Sequence, residues 1–364
     1  MAGKEPPMKA ALFTGQNADL EIRDDIELGD VGRKDVRVKI GSSGVCHSDL
    51  SVINGTIPMP PPAILGHEGA GVVTEVGEAV TSVAPGDHVI LSFTPACSVC
   101  QPCLRQQSFL CKETGPQSMS ANFRMDGNPL PGMTGLGTFA EELIIGEPGV
   151  VKIAKDVPLD VAALIGCGVT TGVGASINTA GITPGSSVVV FGCGGVGISA
   201  IQGARIAGAS EILAVDTMEN KLEQAKHFGA THVTTPDGLD DAKAKITGGD
   251  GFDFALECIG NSKTIRATYD AARAGGTAVI VGVGRMEDMV QFSAFELFYA
   301  NKTLKGSMYG SANVRTFMPE LLSLWKTGKL DLESMISRRI KLDEVNDAFR
   351  AMQAGEVIRT VIDF

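Results

Sequence analysis

In the first 150 residues, short runs of apolar and β-branched residues are broken at close intervals by glycine and proline. Val36 to Ile40, Gly69 to Val76 and His88 to Phe93 are examples. Runs of this length between turn formers predict strands, so this part reads as a β-rich, barrel-like domain. From about Ser186 the pattern changes to apolar strand, Gly-rich turn, long helix and strand, the order of a parallel sheet covered by helices. Ser186 to Phe191, Glu211 to Val215, Phe252 to Glu257 and Thr277 to Val283 are its predicted strands. Gly195 to Ala207 and Asn220 to Phe228 are its predicted helices, and the polar, Gly/Asp-rich stretch Gly238 to Gly251 reads as an exposed connection. After Gly310, a helical pattern over Val314 to Lys326 and a β-like ending, Arg359 to Phe364, are expected to pack back on the first domain.

A length of 364 residues suits two domains. With 31 Lys plus Arg against 42 Asp plus Glu the net charge is −11, which repels phosphate backbones and anionic lipid, so neither nucleic acid nor a membrane is an expected partner. A hydrophobic share of 44% excludes disorder, and 45 glycines against 5% aromatics favour tight turns between strands and helices. Gly, Thr and Ser interrupt every apolar run that approaches membrane-spanning length, residues 162 to 177 included, and Met-Ala-Gly-Lys-Glu-Pro-Pro lacks a signal-peptide core. The expected compartment is the cytoplasm, where the eight cysteines are better read as ligands or buried apolar residues than as disulfides.

Phe191 ends an apolar strand and leads into Gly192-Cys193-Gly194-Gly195-Val196-Gly197. Glycines at 192, 194 and 197 allow a sharp turn, approach of backbone N–H groups to a pyrophosphate, and close packing of the next helix. Nineteen residues after Gly197, Asp216 ends the next strand, where a carboxylate accepts ribose hydroxyls and repels a 2′-phosphate. The cofactor expected is NAD, with Lys221 reaching toward the ribose. The bland reading, glycines that merely end a helix and Asp216 capping the next one, leaves the combined setting unexplained.

Cys97, Cys100, Cys103 and Cys111 follow C-x2-C-x2-C-x7-C, so four thiolates can close around one ion. That suits a structural zinc. The bacterial iron–sulfur spacing has a shorter last interval and a proline where Lys112 stands. Cys193 and Cys258 read as small buried hydrophobes. Cys46 and His67, in Gly44-Val45-Cys46-His47-Ser48-Asp49 and Gly66-His67-Glu68-Gly69, prove little as a pair, because single cysteines and histidines are commonly buried filler.

The run Gly66 to Val73, the four-cysteine lobe, Gly166-Cys167-Gly168 and Gly192 to Gly197 together resemble the zinc-dependent medium-chain alcohol dehydrogenases, in order and over nearly the whole chain. The resemblance implies an α/β protein: a β-rich GroES-like catalytic domain with the structural zinc lobe (1–168 and 312–364) and a doubly wound Rossmann NAD-binding domain (169–311). It implies a catalytic zinc on Cys46, His67 and Cys167, with Glu68 as a nearby or transient ligand and one position open. Ser48 matches the hydroxyl that takes the alcohol proton, and Asp49 the carboxylate that orients the histidine ligand. Thr171 and Val196 match residues beside the nicotinamide, His47 and Arg359 those that hold the pyrophosphate. Val283 and Gly195 count with the cofactor-binding residues.

The implied chemistry is NAD-linked oxidation of a primary aliphatic or aromatic alcohol to the aldehyde and the reverse, by zinc-alkoxide formation and hydride transfer. Ile57, Phe93 and Met133 would line an apolar substrate channel. A hydroxymethyl-thiol adduct (the formaldehyde reaction) and a polyol or secondary alcohol are other substrates compatible with the same fold. The non-enzyme reading is a zinc-depleted binding or structural relative. Where many animal members carry an outer proton-relay histidine, this chain has Ser51. Thr303 to Gly310 resembles the family's edge strand, and the segment 112 to 135 is typical of dimeric members. A homodimer is therefore expected, with a tetramer as the alternative.

Overall fold

The computed structural model describes residues 7–114, 120 and 122–364; part of the 112–135 segment lies outside them. The chain divides into two compact units, Met1–Cys167 with Asn313–Ser323 and Leu332–Phe364, and Gly168–Ala312 with Leu324–Asp331.

The first unit contains two sheets. One has five strands, in the spatial order Ala63–Ile64, Met8–Phe13, Glu21–Leu28, Phe123–Met125, Asn128–Leu130. The other has seven. Its main path runs Val150–Ile153, His88–Leu91, Glu68–Val76, Asp35–Val45, Arg359–Asp363, Ile336–Ile340, and Glu142–Gly146 also pairs with Asp35–Val45. Val36, Val38 and Ile40 point into one apolar cluster with Val73, Val89 and Leu91, the period-two face expected of half-buried strands. The register sets the site: Gly44 pairs with Glu68 on one side and with Val361 on the other. Three strands thus bring Cys46, Glu68 and Arg359 to neighbouring positions.

The second unit is a six-stranded, wholly parallel sheet. Its order is His232–Thr234, Glu211–Val215, Ser187–Phe191, Phe252–Glu257, Ala272–Ile280, Thr303–Gly306. Numbered along the chain this is 3-2-1-4-5-6, the doubly wound order, and its switch point lies between Ser187–Phe191 and Phe252–Glu257. Ligands of such sheets bind at the carboxyl ends there, which is where the glycine turn emerges.

Three expectations need correction. The stretch 238–251 contains a helix, Leu239–Thr247, with no buried residue. Its short apolar stripe, Leu239, Ala242 and Ile246, packs only part-buried against the core, and Asp240, Asp241, Lys243 and Lys245 fill most of the remaining positions. The strand expected at Thr277 to Val283 runs over Ala272–Ile280, leaving Val283 in the following loop. Residues Leu159–Ala180 form one helix long and apolar enough to cross a membrane, which Gly, Thr and Ser do not break. Of its most apolar window, 83% is buried inside the protein. Its glycines are packing positions: a Cβ on Gly172 would come within 2.5 Å of the Ser199 Cβ, and one on Gly174 within 2.5 Å of the Gly310 carbonyl oxygen.

Candidate active site

Cys46 is the N-cap of the helix His47–Ile53, whose buried Leu50 and Val52 anchor it. Asp49, at the third helical position, turns its carboxylate back and accepts the Cys46 N–H at 3.0 Å. The same carboxylate, fully buried, accepts the Gly66 N–H at 3.1 Å and pairs with His67 Nδ1 at 3.0 Å. One side chain thus fixes two distant ligand segments. Gly66 has φ of +90°, which places His67 toward Cys46 at a backbone angle a side chain would strain. The Gly66 carbonyl is clamped by the N–H groups of Gly137 and Thr138 at 3.1 and 2.9 Å. Cys167 lies in a π-helical stretch, Ile165–Val169, a distortion that re-aims side chains within a helix.

Cys46, His67, Glu68 and Cys167 are all buried, and their ligand atoms lie within 4.8 Å of one another. His67 Nε2 is buried and makes no hydrogen bond, whereas Nδ1 is taken by Asp49. A buried imidazole nitrogen left without a partner among two sulfurs and a carboxylate is the arrangement a zinc ion completes. A hydrogen bond from Cys167 holds the Cys46 thiol well below its ordinary range despite burial, with the charges of His67 and Arg359 acting the same way. Burial alone would lower His67, but the negative charges of Asp49 and Cys46 raise it from 6.5 to about 10. A metal ion at Nε2 takes the place of the proton so held. The Phe93 ring meets the His67 ring edge-on, centroids 5.7 Å apart.

Arg359, expected at the pyrophosphate, lies beside Glu68. Its guanidinium is turned inward as the ion-pair partner of Glu68, with its side chain 5% exposed, because Arg359–Asp363 is an interior strand of the seven-stranded sheet. Gly44 makes the room: a Cβ there would collide with the Glu68 carboxylate and lie 3.0 Å from Arg359 Nη2. His47 is exposed at the start of its helix and Ser48 is half-buried, its Oγ 3.8 Å from Cys46 Sγ.

The second set is the lobe. Cys97, Cys100, Cys103 and Cys111 also lie within 4.8 Å of one another, with Sγ–Sγ distances of 3.5 Å (100–103) and 3.9 Å (97–103 and 100–111). A tetrahedron of sulfurs about 2.3 Å from zinc has edges of about 3.8 Å, so the lobe fits a closed four-sulfur site. Backbone N–H groups of Cys97 and Cys100 point at the Cys111 and Cys97 sulfurs, and Cys100 is drawn down to about 6 chiefly by backbone hydrogen bonding at Cys103.

In the second unit, Gly192 has φ of +90°, and a Cβ on Gly197 would collide with the Gly192 carbonyl oxygen. Beside Gly194 nothing lies within 4 Å of a Cβ position, so the turn opens a cradle at the N-terminus of the helix Gly195–Ile206. Asp216 accepts the N–H groups of Cys193 at 2.8 Å and Met218 at 3.0 Å, which fixes its carboxylate beside that turn. The fit to a dinucleotide is good. Burial pushes the Cys193 thiol up to about 12 and the Cys258 thiol well above its ordinary range, in keeping with unreactive residues. Val196 and Thr171 are half-buried, Val283 is exposed, and Lys221 sits in the helix Glu219–His227.

Comparison with known proteins shows the family. Residues 32–155 match the alcohol dehydrogenase GroES-like domain and residues 195–325 the zinc-binding dehydrogenase domain. The chain belongs to the zinc-dependent alcohol dehydrogenase family. It is 38% identical to an alcohol dehydrogenase class-3 of Cereibacter sphaeroides, over 98% of this chain and 99% of that one. It is 37% identical to an S-(hydroxymethyl)glutathione dehydrogenase of Paracoccus denitrificans, over 97% and 99%. The crystal structure of benzyl alcohol dehydrogenase from Acinetobacter calcoaceticus superposes with a TM-score of 0.91 at 34% identity, covering 98% and 99%. This protein is thus an oxidoreductase of the medium-chain type, with a GroES-like and a Rossmann domain. Its cofactors are two zinc ions per chain and a nicotinamide dinucleotide.

The residue that sequence reasoning left without a role is Glu257, fully buried at the end of an otherwise largely apolar strand. A carboxylate closing Phe-Asp-Phe-Ala-Leu-Glu, directly after the apolar pair Ala255-Leu256, was the available signal.

Proposed function

We propose that the enzyme oxidises a primary hydroxymethyl group, R–CH2OH, to the aldehyde level with NAD and runs the reverse reduction, residues 1–168 and 312–364 forming the catalytic domain and 169–311 the NAD domain. The observation that carries this is the buried set Cys46, His67, Glu68 and Cys167 around an unpartnered His67 Nε2. At those residues zinc supplies Lewis-acid stabilisation to an alcohol oxygen losing its proton, and NAD supplies the hydride acceptor. Ser48 Oγ, next to Cys46, accepts that proton; Ser51, three residues on along the same helix, faces the task of passing it outward. Asp49 holds the His67 ring with Nε2 turned to the site, and Arg359 balances the charge of Glu68.

On the cofactor side, Gly192, Gly194, Gly195 and Gly197 present backbone to the pyrophosphate, with Val196 and Thr171 beside the nicotinamide. His47, exposed at the start of its helix, and Arg359, beside Glu68, are the residues for the phosphates. Asp216, held by two backbone N–H groups and helped by Lys221, receives the ribose hydroxyls and disfavours a 2′-phosphate, which selects NAD over NADP.

The names of the curated relatives favour a hydroxymethyl group carried on a thiol sulfur over a simple alcohol, and this is the leading reading of R. A primary aromatic or aliphatic alcohol is the second. It is favoured by Phe93 against His67 and by Ile57 and Met133 packing in one apolar cluster. Steady-state kinetics with formaldehyde plus glutathione, with benzyl alcohol and with polyol and secondary-alcohol controls decide between them. A kcat/KM for benzyl alcohol above that for the glutathione adduct refutes the leading reading. A homodimer is supported by the exposed edge strand Thr303–Gly306, with Phe295, Phe298 and Met308 exposed nearby in sequence. Eight free cysteines support a cytoplasmic setting.

A further inference from the structure

Glu257 closes the strand Phe252–Glu257, is fully buried, and has no part in the chemistry above. A buried carboxylate is costly unless hydrogen bonds compensate it. Its Oε1 accepts three: from the Ile259 N–H at 3.0 Å, the Gly260 N–H at 2.7 Å and the Thr264 hydroxyl at 2.7 Å. Its main-chain oxygen accepts the N–H groups of Val281 and Gly282 at 2.8 and 3.1 Å. One residue therefore ties together the two loops that leave the carboxyl ends of Phe252–Glu257 and Ala272–Ile280.

These loops touch. A Cβ on Gly260 would lie 2.5 Å from the Val283 oxygen and 2.7 Å from its nitrogen. A Cβ on Gly282 would lie 2.7 Å from Glu257 Oε2, which is buried and makes no hydrogen bond. On the other flank, Cys258 N–H donates to the Phe191 oxygen at 2.9 Å, and Ile259 crosses the glycine turn, 2.6 Å from where a Gly192 Cβ would stand. The carboxylate thus sits under the junction of the glycine turn, the 258–260 turn and the Val283 backbone, beside the switch point where ligands of such sheets bind.

We propose that Glu257 is a positioning residue for the nicotinamide half of the dinucleotide, acting through the 259–260 turn on the backbone of Val283. This rests on the reading of Gly192 to Gly197 as the NAD turn. Oε1 fixes Gly260, and Gly260 leaves Val283 no room to move inward. Three bonds to one ionised oxygen are stronger than neutral ones, so the turn is preorganised before cofactor arrives. A glutamine keeps one acceptor but removes the charge that strengthens all three bonds.

The test compares NADH with ADP-ribose, which lacks the nicotinamide, by fluorescence and calorimetric titration of wild type, Glu257→Gln and Thr264→Val. Zinc content and thermal unfolding serve as controls. Glu257→Gln is expected to weaken NADH about tenfold or more, the loss of charge-assisted bonds, while ADP-ribose changes less than about twofold. Thr264→Val, which removes one donor and leaves the carboxylate, shifts NADH in the same direction by less, and it keeps the question open to measurement if Glu257→Gln fails to fold. Equal weakening of both ligands, or NADH binding unchanged in both variants, overturns the proposal. Wild-type protein that binds neither ligand refutes the dinucleotide reading itself and the proposal with it.

Discussion

Asp49→Asn is the most informative single-atom change at the catalytic metal set. The wild-type carboxylate accepts from Cys46 N through one oxygen and serves Gly66 N and His67 Nδ1 through the other. An asparagine has one acceptor oxygen and one NH2. If the NH2 faces His67, it donates to Nδ1 and drives the proton onto Nε2, the atom that must ligate. If it faces Cys46, two N–H groups confront each other and one buried donor is lost. The second orientation is the milder, and an unsatisfied buried donor costs about 1–3 kcal/mol, a factor of about 5 to 150 at about 1.4 kcal/mol per decade. Outer partners of metal-bound histidines carry about 10- to 100-fold in affinity, the same range. The assay is competition for zinc against a chromophoric chelator, with stoichiometry by elemental analysis. The expected result is two affinities, the four-cysteine lobe at its wild-type value and the catalytic set weakened about 10- to 100-fold. Loss of both ions together, or a catalytic affinity within twofold of wild type, would refute the role assigned to Asp49.

Cys46→Ser should abolish turnover with the fold retained, whereas Cys100→Ser should lower the thermal midpoint by loosening the lobe; matching phenotypes in activity and calorimetric scans would contradict the division into open and closed sites. Gly44→Ala forces a methyl onto the Glu68–Arg359 pair, and overpacking of this kind costs about 1–3 kcal/mol, read as a lower denaturation midpoint in urea. Asp216→Ser removes the charge that opposes a 2′-phosphate and should raise kcat/KM for NADP relative to NAD by about tenfold or more; an unchanged ratio counts against the ribose contact. Asp253 is held below its ordinary 3.8: burial pushes it up, but the Ser187 N–H at 2.8 Å, the Arg273 guanidinium at 2.7 Å and the Ser187 hydroxyl outweigh burial. Because the folded value is depressed, this stabilisation is present above pH 3.8 and lost as pH falls through the folded value. The deficit of Asp253→Asn in denaturant titrations should therefore shrink below pH 3.8, and a constant deficit would show that ionisation is not its cause.

What the sequence revealed was local. A strand, a glycine turn and an acid at the next strand's end are contiguous signals, as is a cysteine run whose spacing closes one coordination sphere. The helix Leu159–Ala180 was hidden because its glycines look like breakers until Ser199 and Gly310 are seen to need the space. Leu239–Thr247 was hidden for the opposite reason, its few apolar residues, Leu239, Ala242 and Ile246, being only part-buried and set among four charged ones. The inward turn of Arg359 depends on a strand order in which residues 359–363 lie between 35–45 and 336–340, a pairing across some 300 positions that no periodicity encodes. Asp49 stood nearer the surface of legibility, since its place three residues after Cys46 is a helix-capping position.

Formal charge connects these elements to the chemistry. With Cys46 and Cys167 ligating as thiolates, the buried region around them also contains the carboxylates of Glu68 and Asp49, set against Arg359 and, without a metal, against the proton that His67 holds. A divalent cation would replace that proton and offset one further negative charge, so the set suits zinc. The lobe reaches stability differently: three of its cysteines, Cys97, Cys100 and Cys103, are only partly buried, and backbone N–H groups point at the sulfurs of Cys97 and Cys111, so its ion can be structural without a counter-charge. Substrate chemistry is assigned to the first set because Cys46, His67 and Cys167 would leave a zinc ion one position for an alcohol oxygen, whereas four cysteines would close the lobe.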